Sequence, residues 1–143
     1  MPPFAIAPTH VILHQNNQSG WVEWDVTGDV RTFLSHQANN YGWIIRKDDE
    51  GASGQVDYAS RENTNPPQLV VELGDPAPPA GNGLTAISDA DVRSGSPNQN
   101  QGNRMRLQAQ NSGNNRVLVQ FDRTAMLATV GSGTLQTAKL RLY

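Results

Sequence analysis

The sequence predicts an all-β domain made of two packed antiparallel sheets. Three observations point to it. Short apolar runs alternate with polar residues at a period of two. The runs are separated by turn-forming clusters drawn from 13 Gly, 9 Pro and many Asn and Gln. Charged residues make up only 17% of the 143, whereas long exposed helices would draw heavily on Ala, Leu, Glu and Lys.

Taken in order, "HVILH" (10–14) is a short apolar run with the length of a strand, and "QNNQSG" (15–20) is a turn cluster. In "WVEWDVT", Val22, Trp24 and Val26 fall on one strand face and read as core. Trp21, Glu23, Asp25 and Thr27 fall on the other. The period then changes. Val26, Val30 and Phe33 or Leu34 are spaced for one face of a short helix, with Thr27 as its cap and Asp29 near its positive end. "SHQANNYG" reads as a loop. "WIIRK" (43–47) and "QVDYASRE" (55–62) flank the polar "DDEGASG" (48–54) and predict a hairpin with a long loop. "NTNPP" breaks the chain, and "QLVVEL" (68–73) is a strand.

"GDPAPPAGNG" (74–83) is Pro-rich, Gly-ended and without apolar periodicity, which marks a linker. It divides the chain into 1–73 and 84–143. Beyond it, "LTAISDADVRSG" (84–95) is a strand candidate and "SPNQNQGN" (96–103) a turn. In "RMRLQAQ" (104–110), Met105, Leu107 and Ala109 alternate with Arg104, Arg106 and Gln108. "NSGNN" turns the chain, and "RVLVQFD" sends Val117, Val119 and Phe121 one way. "RTAMLATVGSG" has room for one helical turn. "TLQTAKLRLY" places Ala138, Leu140 and Leu142 inward, with Lys139, Arg141 and Tyr143 outward. It ends the sequence on a strand, which is hazardous unless something pairs with it. Eight or nine short strands of this kind are best buried as two packed sheets.

Two stretches of the chain resemble halves of a known domain. "WVEWDVT", "NNYGWII", "SRE" and "PPQLVVEL" are similar to the C-terminal half of a DNRLRE-type domain. "DADVRSG", "GNRMRLQ", "RVLVQFD" and "TAKLRLY" are similar to its N-terminal half. The resemblance implies an antiparallel jelly-roll-like β-sandwich from a secreted or cell-surface protein. It also implies tandem occurrence, with relatives that include carbohydrate-binding modules for acidic polysaccharides such as alginate and proteins of cell aggregation and surface layers. The halves stand in reversed order here. A strand pair that the family carries between them has no counterpart beyond what residues 4–14 supply.

Three topologies fit that order: a chain closed on itself, a head-to-tail polymer in which each front half completes the back half of a neighbour, and an excerpt of a tandem array. In the last two, apolar faces and open edges are covered only by a neighbour, and a contact whose rotation does not close builds a filament. Val22, Trp24, Val26, Leu107, Phe121, Leu140 and Leu142 are then the core completed between copies.

The candidate chemistry is binding rather than catalysis. Trp21, Glu23 and Asp25 share a strand face, with Trp43 expected on a neighbouring strand. An indole stacks on the CH face of a sugar and the acids accept its hydroxyls; the alternative is a half-buried edge aromatic beside solvated acids. Arg104, Arg106 and Arg141, on adjacent strands, would form a basic face for an anionic polysaccharide. The alternative is ion pairing with acids of the other half. Glu23 and Asp25 lie on one strand rather than on either side of a scissile bond, which argues against a glycosidase pair.

His10 and His14 on a strand stand ~13 Å apart, too far to share a metal. "DDE" (48–50) and "SDAD" (88–91) carry oxygen ligands without the spacing of a calcium loop, so a structural Ca²⁺ is the one ion they leave room for, and no cofactor is expected. The absence of Cys removes disulfides and thiolate chemistry, and no nucleophile elbow, phosphate loop or dinucleotide fingerprint occurs. A net charge of −2 without a basic block argues against nucleic acid. No apolar run approaches the ~20 residues of a membrane span. "MPPFAIAPTHVILH" has no basic start and too short an apolar region for a signal peptide.

The sequence therefore reads as a non-enzymatic extracellular or cell-surface β-sandwich. Its first expected function is self-assembly, head to tail, into a filament or tandem array by exchange of half-domains. Its alternative is a carbohydrate-binding module for an acidic polysaccharide.

Overall fold

Alternation decides the strands, and long-range pairing decides the sheets. The computed structural model describes residues 7–48, 53–74, 83–96, 98–99, 103–110 and 115–143. Residues 75–82 of the expected linker lie outside them, as do parts of the polar connections at 48–54, 96–103 and 111–115. The first part contributes β1 (Val22–Asp25), α1 (Thr27–Leu34), β2 (Trp43–Ile45), β3 (Gln55–Ala59) and β4 (Gln68–Leu73). The second contributes β5 (Gly83–Thr85), β6 (Ser88–Val92), β7 (Arg106–Gln110), β8 (Arg116–Gln120), α2 (Arg123–Val130) and β9 (Leu135–Leu142).

The strands form a sheet of order β1-β9-β4-β5, a sheet of order β2-β8-β6 and the pair β3-β7, all antiparallel. This is the all-β sandwich that alternation predicts. Its pairing is nested: β1 with β9, β2 with β8, β3 with β7, and β4 with both β5 and β9. Among the described residues no strand of 1–73 pairs with another strand of 1–73; only β6–β8 joins two strands of the same part. The two parts of the chain thus close one sandwich between them.

The nested order corrects several local expectations. "WIIRK" and "QVDYASRE" do not form a hairpin. β2 runs beside β8, where Trp43 stands opposite Val119 and Ile45 opposite Val117, and all four are buried. That apolar pairing wins over a long polar loop, which fixes no register. "LTAISDADV" is two strands. Ala86 donates to Pro67 O at 3.1 Å and Ile87 to Gln120 O at 2.9 Å, so the chain changes sheets between them. Met105 is 60% exposed because β7 starts only at Arg106. β9, the terminal strand whose edges call for pairing, is flanked on both sides by β1 and β4.

Val22, Trp24, Val26, Leu107, Phe121, Leu140 and Leu142 are all buried. The inward row Trp24–Leu140–Leu69–Leu84 crosses the four-stranded sheet.

α1 buries Val30 and Phe33, the i, i+3 positions that face the core. Thr27 is its first residue rather than its cap. Asp25 Oδ1 accepts from Thr27 N at 3.0 Å and from Thr27 Oγ1 at 2.6 Å, and Thr27 Oγ1 in turn accepts from Ala138 N at 2.9 Å. These bonds tie the helix start to β9. α2 is longer than the single turn expected. Asp122 caps it by accepting from Ala125 N at 2.9 Å. The Arg123 guanidinium donates to Phe33 O at 2.7 Å and Leu34 O at 2.8 Å, tying the end of α1 to the start of α2.

"HVILH" is not a strand. Residues 7–18 lie as a strap beside the opening between the layers, along β2 and β3, where they border a cleft of about 1460 Å³. Thr9 Oγ1 donates to Asp29 Oδ2 at 2.9 Å, Ile12 packs on the core, and His14 Nε2 shares a hydrogen bond with Tyr58 OH at 2.8 Å. The strap fills part of the gap with side chains and adds no backbone to either sheet.

Candidate functional site

Cross-strand neighbours in a sheet point to the same face. The register therefore builds an outer row across the four-stranded sheet: Glu23 opposite Arg141, Arg141 opposite Gln68, Gln68 opposite Thr85. At ~4.8 Å between strands the row is roughly 14 Å across. Glu23 Oε1 is 3.0 Å from Arg141 Nε, and Glu23 Oε2 is 3.4 Å from Lys139 Nζ.

Trp21 stands at the start of β1 and Tyr143 at the end of β9. Their rings meet edge to face at 5.5 Å. The Arg141 guanidinium carbon lies 4.7 Å from the centre of the Trp21 ring, a cation–π contact that fixes the indole. Tyr143 is exposed and Trp21 is half-buried, so a rigid aromatic step borders a row of hydrogen-bonding side chains. The first part of the chain supplies Trp21, Glu23 and Gln68; the second supplies Arg141, Tyr143 and Thr85.

The other expected site residues are placed differently. Asp25 is exposed, but its Oδ1 is taken by Thr27. Those bonds, side chain first and backbone second, hold the Asp25 carboxyl below the usual range. That oxygen is engaged at the start of α1. Trp43 is not on this face: β2 belongs to the other layer, and the ring is buried between Phe33 at 5.6 Å and Phe121 at 6.0 Å. Its Nε1 donates to Asp29 Oδ2 at 2.8 Å.

Arg104, Arg106 and Arg141 do not lie on adjacent strands. Arg106 is on β7, which pairs with β3 rather than β9; its Nη1 is 3.3 Å from Asp57 Oδ2. Arg104 precedes β7, and its carbonyl accepts from Ser60 Oγ. Ala59 bridges the two regions. Its N–H donates to Tyr143 O at 2.7 Å, and it stands opposite Arg106. The arginine end of β7 therefore adjoins the aromatic step by way of a single residue.

Tyr143 was legible as an outward position of β9, but its partnership with Trp21 depends on the β1–β9 register. Gln68 and Thr85 gave no local signal at all; they join the face only as cross-strand neighbours.

The acids considered for calcium are engaged elsewhere. Asp89 Oδ2 accepts from Arg61 N at 2.6 Å, and burial, the larger influence, raises the Asp89 carboxyl above its usual range. Buried Asp91 pairs with Arg93, Oδ2 to Nη2, at 2.8 Å. Among the described residues no three His, Asp or Glu side chains come together as a metal-binding group. Residues 49 and 50 of "DDE" lie outside the described residues.

His14 and Tyr58 form a second aromatic group with Trp24, with ring centres 5.7 to 6.4 Å apart. Burial lowers the pKa of His14 and raises that of Tyr58. These rings face one another inside the opening, so they hold the layers and strap together.

Residues 5–73, just under half of the chain, match the model of carbohydrate-binding module family 96. That match supports a carbohydrate-binding β-domain and carries no DNRLRE-type assignment. The matched region contains Trp21, Glu23 and Gln68, and ends with β4. No curated protein and no solved structure matches the chain. Among the described residues no helix is long and apolar enough to cross a membrane.

Proposed function

We propose that this chain is a non-enzymatic carbohydrate-binding module, acting outside the cell or at its surface, that takes an acidic polysaccharide along the outer face of β1, β9 and β4. The observation that carries the reading is the Trp21–Tyr143 step beside the Glu23–Arg141–Gln68–Thr85 row, in a chain whose first part matches a carbohydrate-binding family. Aromatic rings cover sugar CH faces, and the amide, hydroxyl and carboxylate groups meet hydroxyls. The Arg141 guanidinium, and Arg106 and Arg104 beyond Ala59, supply planar donors for uronate carboxylates. Affinity electrophoresis through gels cast with acidic and neutral polysaccharides tests it. Retardation by an acidic polysaccharide is expected; free migration in every gel overturns the reading.

Assembly by exchange of half-domains is a second reading, favoured by one observation. Among the described residues, all sheet pairing of 1–73 is with 83–142. A neighbour's second part can make the same contacts when the linker crosses between chains, as in domain swapping. Head-to-tail repetition of that exchange yields the filament or tandem array. Light scattering over a wide concentration range tests the head-to-tail form: an open series of oligomers supports it, and a sharp monomer or closed dimer overturns it.

A further inference from the structure

We infer that residues 10–14 are the interface of a symmetric dimer, in which the straps of two copies of this chain pair as antiparallel strands. The strap is attached by side chains alone. Among the described residues, none of 7–14 makes a backbone–backbone hydrogen bond, so a run of N–H and C=O groups stands open as it does on a free sheet edge. Its side chains alternate. Ile12 and His14 are partly buried, whereas Val11 is 60% and Leu13 90% exposed. Three successive apolar residues therefore occupy a segment that covers only one of them.

The sequence of the strap selects its partner. His10-Val11-Ile12-Leu13-His14 has almost the same pattern in both directions. A two-fold axis through Ile12 sets Ile12 against the partner subunit's Ile12, and Val11 against the partner subunit's Leu13. His10 then faces the partner subunit's His14. This is the reciprocity that a two-fold interface requires. Cross-strand neighbours share a face, so the exposed Val11 and Leu13 of both copies gather into one apolar cluster. The anchors at Thr9, Ile12 and His14 stay in place within each copy, and no element has to unfold. The interface also leaves the outer face of β1, β9 and β4 free, so sugar binding and dimerisation fail or hold separately.

The test is light scattering across concentration on the whole chain and two double variants, V11K/L13K and V11K/L13E. Both side chains are exposed, so thermal unfolding of either variant should match the parent. The parent is expected to show a monomer–dimer equilibrium. V11K/L13K sets like charges opposite each other and should raise the dimer dissociation constant at least about tenfold. V11K/L13E sets each introduced lysine opposite an introduced glutamate and should keep the dimer. A parent that stays monomeric overturns the inference. So does an association that V11K/L13K leaves unchanged, or one that V11K/L13E weakens as much as V11K/L13K does.

Discussion

Trp24 of β1 stands directly opposite Leu140 of β9, and both are buried, although they lie near opposite ends of the chain. Trp24 also meets Tyr58 at 5.8 Å, which links the two layers. Trp21, three residues earlier, meets Arg141 and Tyr143 on the outer surface. Trp24→Ala should therefore destabilise the fold by ~3–5 kcal/mol, and Trp21→Ala by less than ~1 kcal/mol. Urea denaturation of the two variants checks the contrast; equal losses would contradict the assigned facing.

That contrast was legible in the sequence because a strand puts alternate residues on opposite faces. The same logic located β4, β8 and β9, and the inward residues of the last two. It did not find the partners. Glu23 meets Arg141 only through a ladder that spans most of the chain, and local periodicity carries no information about such pairing. Trp43 shows the limit from the other side. Its aromatic character suggested a sugar platform, but the apolar pairing of β2 with β8 takes it into the core. Asp25 reads as a free acid in the sequence because its bonds to Thr27 depend on where the helix starts.

Two turn positions differ in what they tolerate. Gly42 has φ +83°, and a Cβ there would stand 2.1 Å from Val119 O. Gly42→Ala should destabilise by about 3 kcal/mol or more, with loss of cooperative unfolding as the extreme outcome. His36, just past α1, also sits in the left-handed region at φ 59°, where a side chain is strained. His36→Gly should raise stability by up to ~1 kcal/mol. Thermal melts of both variants give the opposite signs.

Protonation of His14 should loosen the strap. Burial holds this imidazole below its ordinary pKa of 6.5, so the folded state binds its proton more weakly than the unfolded chain does. The stability it contributes is full above pH 6.5 and is lost as pH falls through the lowered folded value. Asp25, whose pKa is lowered from 3.8, contributes loss only at more acid pH. Denaturation midpoints between pH 7.5 and 5 should fall for the parent and fall less for His14→Gln. Parallel slopes would contradict the assignment.

Among the described residues the nested pairing leaves 1–73 with no sheet of its own, and 84–143 with only the β6–β8 pair. Residues 1–73, which contain the whole family-matched region, should show no cooperative unfolding alone. Mixed with 84–143 they should recover the β-type circular dichroism of the intact chain. A folded, cooperatively melting 1–73 fragment would contradict the closed-sandwich account.

The aromatic step on the outer face is the centre of the functional reading. Its most direct test is a calorimetric titration of the parent and of Trp21→Ala with the polysaccharide that retards the parent in affinity gels. Removing the indole should weaken binding at least about tenfold, in line with the loss of a stacked, partly buried aromatic anchor, while the melting temperature shifts little. Undiminished affinity in a folded Trp21→Ala variant would place the sugar elsewhere and contradict the assigned face.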